Sequence, residues 1–175
     1  MQTIIGIDPG VTGAIAALFP DGKITIVDLP TVKTDGFKGI APMELWSILN
    51  NIVNDPSFKI SENHLVYPQS VTAYCEKSVL PPGDGKLAVR SMYDCRGVIR
   101  TALAYCSIPL RYVPPQTWKK YHGIPKQPNA KEAKEYSRGL ALQLRPDLAE
   151  SLKRKKDHNR AEAVLIAMYG ANREK

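Results

Sequence analysis

Cysteine is scarce in this sequence, with three residues, Cys75, Cys95 and Cys106, among 175. The number is odd and no two form a Cys-x-x-Cys pair, so neither a disulfide framework nor a cysteine-ligated zinc site is indicated. The N-terminus lacks the basic region and long apolar segment of a signal peptide. No apolar run approaches the roughly 20 residues that span a bilayer. We therefore expect a reduced, cytoplasmic protein that does not enter membranes.

Internal repeats, low-complexity segments and shifts of composition are also missing, so residues 1–175 are expected to form a single domain. An apolar content of 43% is ordinary for a globular protein and argues against wholesale disorder. Lysine and arginine total 24, whereas aspartate and glutamate total 17, which gives a formal net charge of +7. This excess favours a polyanionic partner, although many basic proteins have none.

The first apolar run ends at an acid. Ile4, Ile5 and Ile7 form a β-branched apolar run, which is typical of a buried central strand. Asp8 follows, and Pro9-Gly10 then signals a turn. A carboxylate at this position is costly unless it is solvated, hydrogen-bonded or bound to a metal. The simpler alternative is that Asp8 only stabilises the turn.

Periodicity predicts the other elements. Alternation over residues 23–29 predicts a half-buried strand that completes an antiparallel meander of three strands. The polar segment 31–41 is expected to be a mobile loop. Helices are predicted over 42–53, 87–106 and 130–144, short strands over 64–67 and 110–113, and a final helix over residues following 157.

A second apolar run, residues 71–76, also ends at an acid, Glu76. A strand-end glutamate alone is more often a solvated surface residue. If this strand lies parallel to the first, however, Asp8 and Glu76 lie at the same edge of the sheet. We therefore expect the two carboxylates to be neighbours.

A third location of acids, the pair Asp157 and Glu162, lies at the start of the last helix. Four cationic residues, 153–156, come directly before Asp157. Hard cations such as Mg²⁺ prefer oxygen ligands. Two such ions about 3.5–4 Å apart can activate a water molecule and stabilise the leaving oxygen of a phosphodiester. Three or four carboxylates would hold them, and nearby cations would hold the phosphate backbone.

Several short motifs occur in an order typical of one family. They are Gly6-Ile7-Asp8-Pro9-Gly10, Cys75-Glu76-Lys77-Ser78, Arg96-Gly97-Val98-Ile99, Tyr112 to Lys120 with its Pro-x-x-x-Lys pattern, and Asp157-His158 to Glu162-Ala163. In this set and order the chain resembles the RuvC-type Holliday-junction resolvases, of the sort also carried by bacteriophages. Each motif is short, but together they span nearly the whole chain.

The resemblance implies an α/β fold of the RNase H type, with a mixed five-stranded sheet flanked by helices. It implies a homodimer that resolves four-way or other branched DNA junctions by paired phosphodiester hydrolysis with Mg²⁺, or Mn²⁺ as a substitute, and without a small-molecule cofactor. A phage-encoded member would act in the host cytoplasm. The catalytic and metal-binding residues would be Asp8, Glu76, Asp157 and Glu162. The DNA-binding residues would be Lys86, Arg90, Lys119, Lys120 and Lys155.

The fourth ligand is the loosest part of the match. The family has it three or four residues before the last acid, where this chain has Asn159 and His158. Asp157 lies five residues before Glu162, but at a helix N-cap its side chain could swing toward the site. We favour Asp157 because Mg²⁺ prefers charged oxygen, with His158 as the alternative ligand or proton carrier. Asp157 could also be a plain helix cap.

Other functions share parts of this pattern. Another nuclease of the RNase H fold, or a transposase-like enzyme, would use the same acids and differ only in substrate. A non-catalytic nucleic-acid-binding module would not need the acids. An actin-type ATPase begins with a similar strand and turn, but it needs a second domain, for which 175 residues leave no room.

Overall fold

The computed structural model describes residues 2–34, 36–54, 70–77 and 85–174. The strands are β1 Thr3–Asp8, β2 Ala14–Leu18, β3 Ile24–Asp28, β4 Thr31–Thr34, β5 Phe37–Ile40, β6 Val71–Glu76 and β7 Leu110–Val113. The helices are α1 Pro42–Val53, α2 Lys86–Tyr105, α3 Pro115–Tyr121, α4 Ala130–Leu144 and α5 His158–Arg173, with 3₁₀ turns at Pro146–Leu148 and Lys155–Asp157. In the described ranges, no helix is long and apolar enough to cross a membrane.

Five strands form a mixed sheet in the order β3-β2-β1-β6-β7. The first three strands are an antiparallel meander, and β6 lies parallel to both β1 and β7. Ile7 is paired with Cys75, so Asp8 and Glu76 follow at equivalent positions on neighbouring strands. The predicted meander and the predicted juxtaposition of the two strand ends are confirmed.

The two faces of the sheet are covered by different helices. Ile5 and Ile7 contribute to the core beneath α1 and α2, whereas Ile4 belongs to the core beneath α5. Because side chains alternate along a strand, Asp8 shares the α5 side with Ile4. The same alternation assigns Glu76 to the side of Tyr74, which also packs in the α5 core. Both acids are thus directed to the face that carries the last helix.

Helix α5 approaches β1 very closely at Gly6. A Cβ atom on this residue would overlap the backbone of Ala163 and Ala167. Farther along the helix, Gly170 leaves room for the Tyr74 ring and the Ile4 side chain. The small residues bring the two backbones into contact, and this contact fixes the height of α5 above the strand ends.

Residues 31–41 do not form the predicted loop. They contain the hairpin of β4 and β5, in which Val32 pairs with Gly39 and Lys33 with Lys38. Thr31, Val32 and Thr34 are β-branched residues that favour strands, and Gly36 supplies a turn residue with a φ of 77°. Their mixed polarity hid the pattern, because the hairpin is partly solvent-exposed. The predicted strand at 64–67 lies outside the described residues.

Candidate active site

Three carboxylates converge where β1 and β6 end. Asp8 and Glu76 are brought together by the register of the parallel strands, and Glu162 lies on the second turn of α5. Asp8 is half-buried. Burial raises its pKa well above the usual 3.8, and the negative charges of Glu162 and Glu76 raise it further. Lys119 and Lys134 act in the opposite direction.

Glu76 is held by an indole. The Nε1–H of Trp118 donates a hydrogen bond of 3.0 Å to Glu76 Oε2. Trp118 is fully buried in α3, which begins just after β7 at Pro115. Because a buried indole has little freedom to move, this contact fixes one oxygen of the Glu76 carboxylate.

Glu162 is held from two further elements. The hydroxyl of Ser137, a fully buried residue of α4, donates to Glu162 Oε1 at 3.2 Å. The ammonium of Lys119 lies 3.8 Å from the same oxygen and 5.0 Å from the centre of the Trp118 ring. Lys119 therefore interacts with Glu162 through charge and with the ring of Trp118, which holds Glu76, through a cation–π contact.

Asp157, the expected fourth ligand, is bound to Arg154 in this arrangement. Its side chain is 2% exposed. Both carboxylate oxygens accept hydrogen bonds from Arg154, at 2.7 and 3.0 Å from the guanidinium to Oδ1 and 2.8 Å from the backbone to Oδ2. Burial raises the Asp157 pKa, but the Arg154 hydrogen bonds outweigh burial and leave the pKa below 3.8. In this arrangement Asp157 locks the turn that starts α5.

The two residues after Asp157 lie at the same end of the helix. The ring nitrogen Nδ1 of His158 lies 3.3 Å from the Lys155 carbonyl oxygen. The Asn159 amide donates to the carbonyl oxygen and hydroxyl of Thr12, in the turn that follows Asp8. Asn159 thus ties α5 to the Asp8 turn, whereas the described contacts of His158 are local.

The five residues expected to bind DNA are distributed over the surface. Lys119 lies at the carboxylates, and Lys120 lines an adjoining cavity of about 600 Å³ with Lys119 and Ser137. Lys86 and Lys155 are exposed. Arg90 stacks on the Phe37 ring at 5.0 Å and lies 3.6 Å from Asp94. Of these five residues, Lys119 is brought to the carboxylates, and Lys120 shares the adjoining cavity with it.

The sequence did not identify the hydrogen-bond donors Trp118 and Ser137 or the cation Lys134 as part of the site. Trp118 lies within the Pro-x-x-x-Lys motif, but nothing local connects it with Glu76, 42 residues earlier. Ser137 has no signal beyond a small polar residue on the buried side of α4, and Lys134 lies one turn before it. A polar residue on an otherwise apolar helix face is the one pattern that could have indicated Ser137.

The donor set has the chemistry of a site for a hard divalent cation. Carboxylate oxygens are the ligands that Mg²⁺ and Mn²⁺ prefer, and a cation would offset the repulsion that raises the pKa of Asp8. Within the described ranges, no three His, Cys, Asp or Glu side chains already form a closed metal cluster. The carboxylates interact through charge, and they would have to draw closer to share an ion.

The fold is shared with solved structures. No protein-family model matches the sequence, and a comparison with curated protein sequences gives no match. RuvC of Thermus thermophilus, in complex with a Holliday junction substrate, is similar with a TM-score of 0.54 and 16% identity over 97% of this chain and 93% of that chain. A second structure of Thermus thermophilus RuvC gives a TM-score of 0.52, with the same identity and coverage.

The chain has the RuvC fold. This is the α/β fold of the RNase H type that the family resemblance implied, with a mixed five-stranded sheet between helices. At 16% identity the likeness concerns the fold. The site has to be judged on its own residues.

Proposed function

We propose that this protein is a metal-dependent endonuclease that cuts branched DNA, including four-way junctions, by phosphodiester hydrolysis. The observation that carries the proposal is the convergence of Asp8, Glu76 and Glu162 at one edge of a RuvC-type sheet, with the charge of Asp8 coupled to both glutamates. The RuvC structure solved with a Holliday junction substrate supports the choice of substrate.

Asp8, Glu76 and Glu162 would hold one or two divalent ions, Mg²⁺ or Mn²⁺. Such ions activate water and stabilise the leaving oxygen during phosphodiester hydrolysis. Trp118 and Ser137 each hold one oxygen of the two glutamates in place through their hydrogen bonds. Lys119, whose side chain is 32% exposed, can hold a phosphate oxygen beside the carboxylates.

The roles of the other predicted residues follow from their positions. Lys120 extends the cationic surface from Lys119, and Lys86, Arg90 and Lys155 are kept as proposed outer contacts to DNA. In this arrangement Asp157 stabilises the start of α5 through Arg154, and it stays the proposed fourth ligand if it moves into the site. His158 remains the alternative as ligand or proton carrier.

The first test compares substrates. The protein is incubated with a synthetic four-way junction, a linear duplex, a flap and an RNA–DNA hybrid, each with Mg²⁺ or with EDTA. We expect paired nicks in the junction with Mg²⁺ only. Preferential cutting of the hybrid would instead favour a general RNase H-type nuclease, and binding without cutting of any substrate would favour a non-catalytic module.

Replacing the indole donor tests whether the glutamates must be held in place. Trp118→Phe keeps an aromatic ring but removes the N–H that binds Glu76. Loss of such an outer partner typically lowers metal affinity or activity about 10- to 100-fold. We expect Trp118→Phe to bind Mn²⁺ about 10- to 100-fold more weakly than the wild type, as measured by calorimetry. Tyr136→Phe, at an exposed tyrosine of α4 outside the site, is the control, and equal affinities of the two variants would contradict the role of Trp118.

We also infer that two copies act together. A junction of near-two-fold symmetry needs two sites for two symmetric cuts, and a C₂ dimer supplies them. An apolar groove of about 890 Å³ lies between α1 and α2. Met43, Trp46, Tyr93 and Tyr105 line it with large exposed surfaces. This surface is suited to the partner copy.

Light scattering would test the assembly. We expect twice the chain mass for the wild type and a single chain mass for Tyr93→Glu, because a charge in an apolar interface is not solvated. Tyr136→Glu, at an exposed tyrosine of α4 that lies outside this groove, should remain dimeric. A wild-type mass of one chain, both free and on a junction, would exclude the dimer.

A further inference from the structure

The β4–β5 hairpin places two like charges opposite each other. Lys33 and Lys38 are directly paired across the strands, and both are exposed. Opposed like charges destabilise a strand pair. In the part of the chain that the structure describes, neither lysine forms a salt bridge. An anion bound at the hairpin would relieve this repulsion.

Lys38 also lines a groove between the hairpin and the start of α5. The groove has a volume of about 560 Å³, and its described lining includes Lys38, Lys134, Arg154, Lys156 and the turn residue Thr12. We call it the hairpin groove. Lys134 links it to the active site, because this cation acts on the charge of Asp8.

The acids in the hairpin groove are already neutralised. Asp28 receives two hydrogen bonds from Arg160, at 2.6 and 2.7 Å. These bonds lower the pKa of Asp28. Asp157 is bound by Arg154 in the same way. The charges of Lys38, Lys134 and Lys156 therefore remain available to a ligand.

The position of the groove defines a path. Asp8 and Glu76 end the central strands, the cavity of Lys119 and Lys120 lies toward the β7 side, and the hairpin groove lies toward the β3 side. The carboxylates are thus flanked by cationic cavities on both sides. A single extended strand of nucleic acid passing over the carboxylates would meet lysines before and after the cutting site.

We infer that the hairpin groove binds the phosphodiester backbone of the strand that enters or leaves the active site. This inference rests on the proposed nuclease function and assigns to it a contact surface made by Lys38, Lys134 and Lys156. Lysine is a flexible point charge, which suits phosphate oxygens better than base edges. The groove would therefore fix the position of the strand without reading its sequence.

Salt dependence of binding tests the inference. Affinity for a labelled four-way junction is measured in EDTA, so that no cutting occurs, at several KCl concentrations for the wild type and for Lys38→Gln, Lys134→Gln, Lys156→Gln and the triple variant. Each lost phosphate contact reduces the slope of log K against log salt by about 0.9. We expect a reduction of roughly 2–3 in the triple variant, together with weaker binding.

Two controls separate charge from other effects. Lys23→Gln removes an exposed lysine from the turn between β2 and β3, at the end of β3 opposite Asp28 and the groove, and should leave the slope unchanged. The triple Lys→Arg variant keeps the charge and should restore the slope. A triple Gln variant with the slope of Lys23→Gln would overturn the inference.

The outcomes also distinguish the inference from the proposed function. Cutting of junctions by the wild type, combined with an unchanged slope in the triple Gln variant, would leave the nuclease and reject the groove. A reduced slope without any Mg²⁺-dependent cutting would support the groove and reject the nuclease. A wild type that binds no DNA at any salt concentration would reject both.

Discussion

Asp8→Asn is expected to abolish cleavage and, at the same time, to stabilise the cation-free protein. The substitution removes a ligand, so cleavage should fall by more than the roughly hundredfold that loss of an outer partner causes. It also removes a half-buried charge that Glu76 and Glu162 repel. A gain of about 1 kcal/mol would raise the melting temperature by roughly 2–4 °C for a domain of this size.

The stability change should depend on pH in a definite direction. Because the folded protein keeps the Asp8 proton at pH values where the unfolded chain has lost it, the wild type loses stability as pH rises from about 3.8 through the raised pKa of Asp8. Asp8→Asn lacks this loss, so its advantage should be absent at low pH and should grow as the pH rises toward the raised pKa of Asp8. Thermal melts in EDTA across this range would measure it.

Divalent cations should make the wild type more stable than Asp8→Asn. We expect Mg²⁺ or Mn²⁺ to bind only the folded wild type with its full set of acids, and so to raise its melting temperature. The melting temperature of Asp8→Asn should rise much less. Asp21→Asn, in the exposed turn before β3, should behave like the wild type. Cleavage at the wild-type rate by Asp8→Asn, or equal Mn²⁺-induced shifts, would refute a cation site at Asp8.

Local sequence patterns were sufficient to predict the helices and strands whose ends are marked by a proline, a capping residue or a turn. Helix α1 occupies the predicted residues 42–53 because Pro42 starts it and its apolar residues recur at helical spacing. Helix α4 begins after Asn129, whose side chain accepts a hydrogen bond from the Glu132 backbone as an N-cap should. The neighbouring positions of Asp8 and Glu76 followed from two apolar runs that each end at an acid.

The hydrogen bonds that hold the carboxylates could not be predicted in this way, because they are contacts between residues far apart in the sequence. Trp118 reaches Glu76 from 42 residues away, and Ser137 reaches Glu162 from 25. The role of Asp157 was similarly hidden. An aspartate before a helix is compatible with a cap, a ligand or an ion pair, and only the position of Arg154 distinguishes them.

Asp157→Asn is the second substitution with a large expected effect, and it should act on stability. It weakens the ion pair with Arg154 at the start of α5. Hydrogen bonds to a charged group contribute roughly 1.5–3 kcal/mol, so the melting temperature should fall by several degrees. Because the pKa of Asp157 is lowered, its contribution is present above about pH 3.8 and is lost as pH falls through the lowered pKa.

The response to Mn²⁺ decides whether Asp157 is also a ligand. If Asp157 only locks the helix start, Asp157→Asn lowers the melting temperature equally with and without Mn²⁺, and the Mn²⁺-induced shift equals that of the wild type. If Asp157 moves into the site to complete it, the shift shrinks as it does for Asp8→Asn. Asp147→Asn, in the exposed pair with Arg145, should change neither quantity. His158→Ala completes the set, since a reduced Mn²⁺ shift in this variant alone would transfer the fourth ligand to the imidazole.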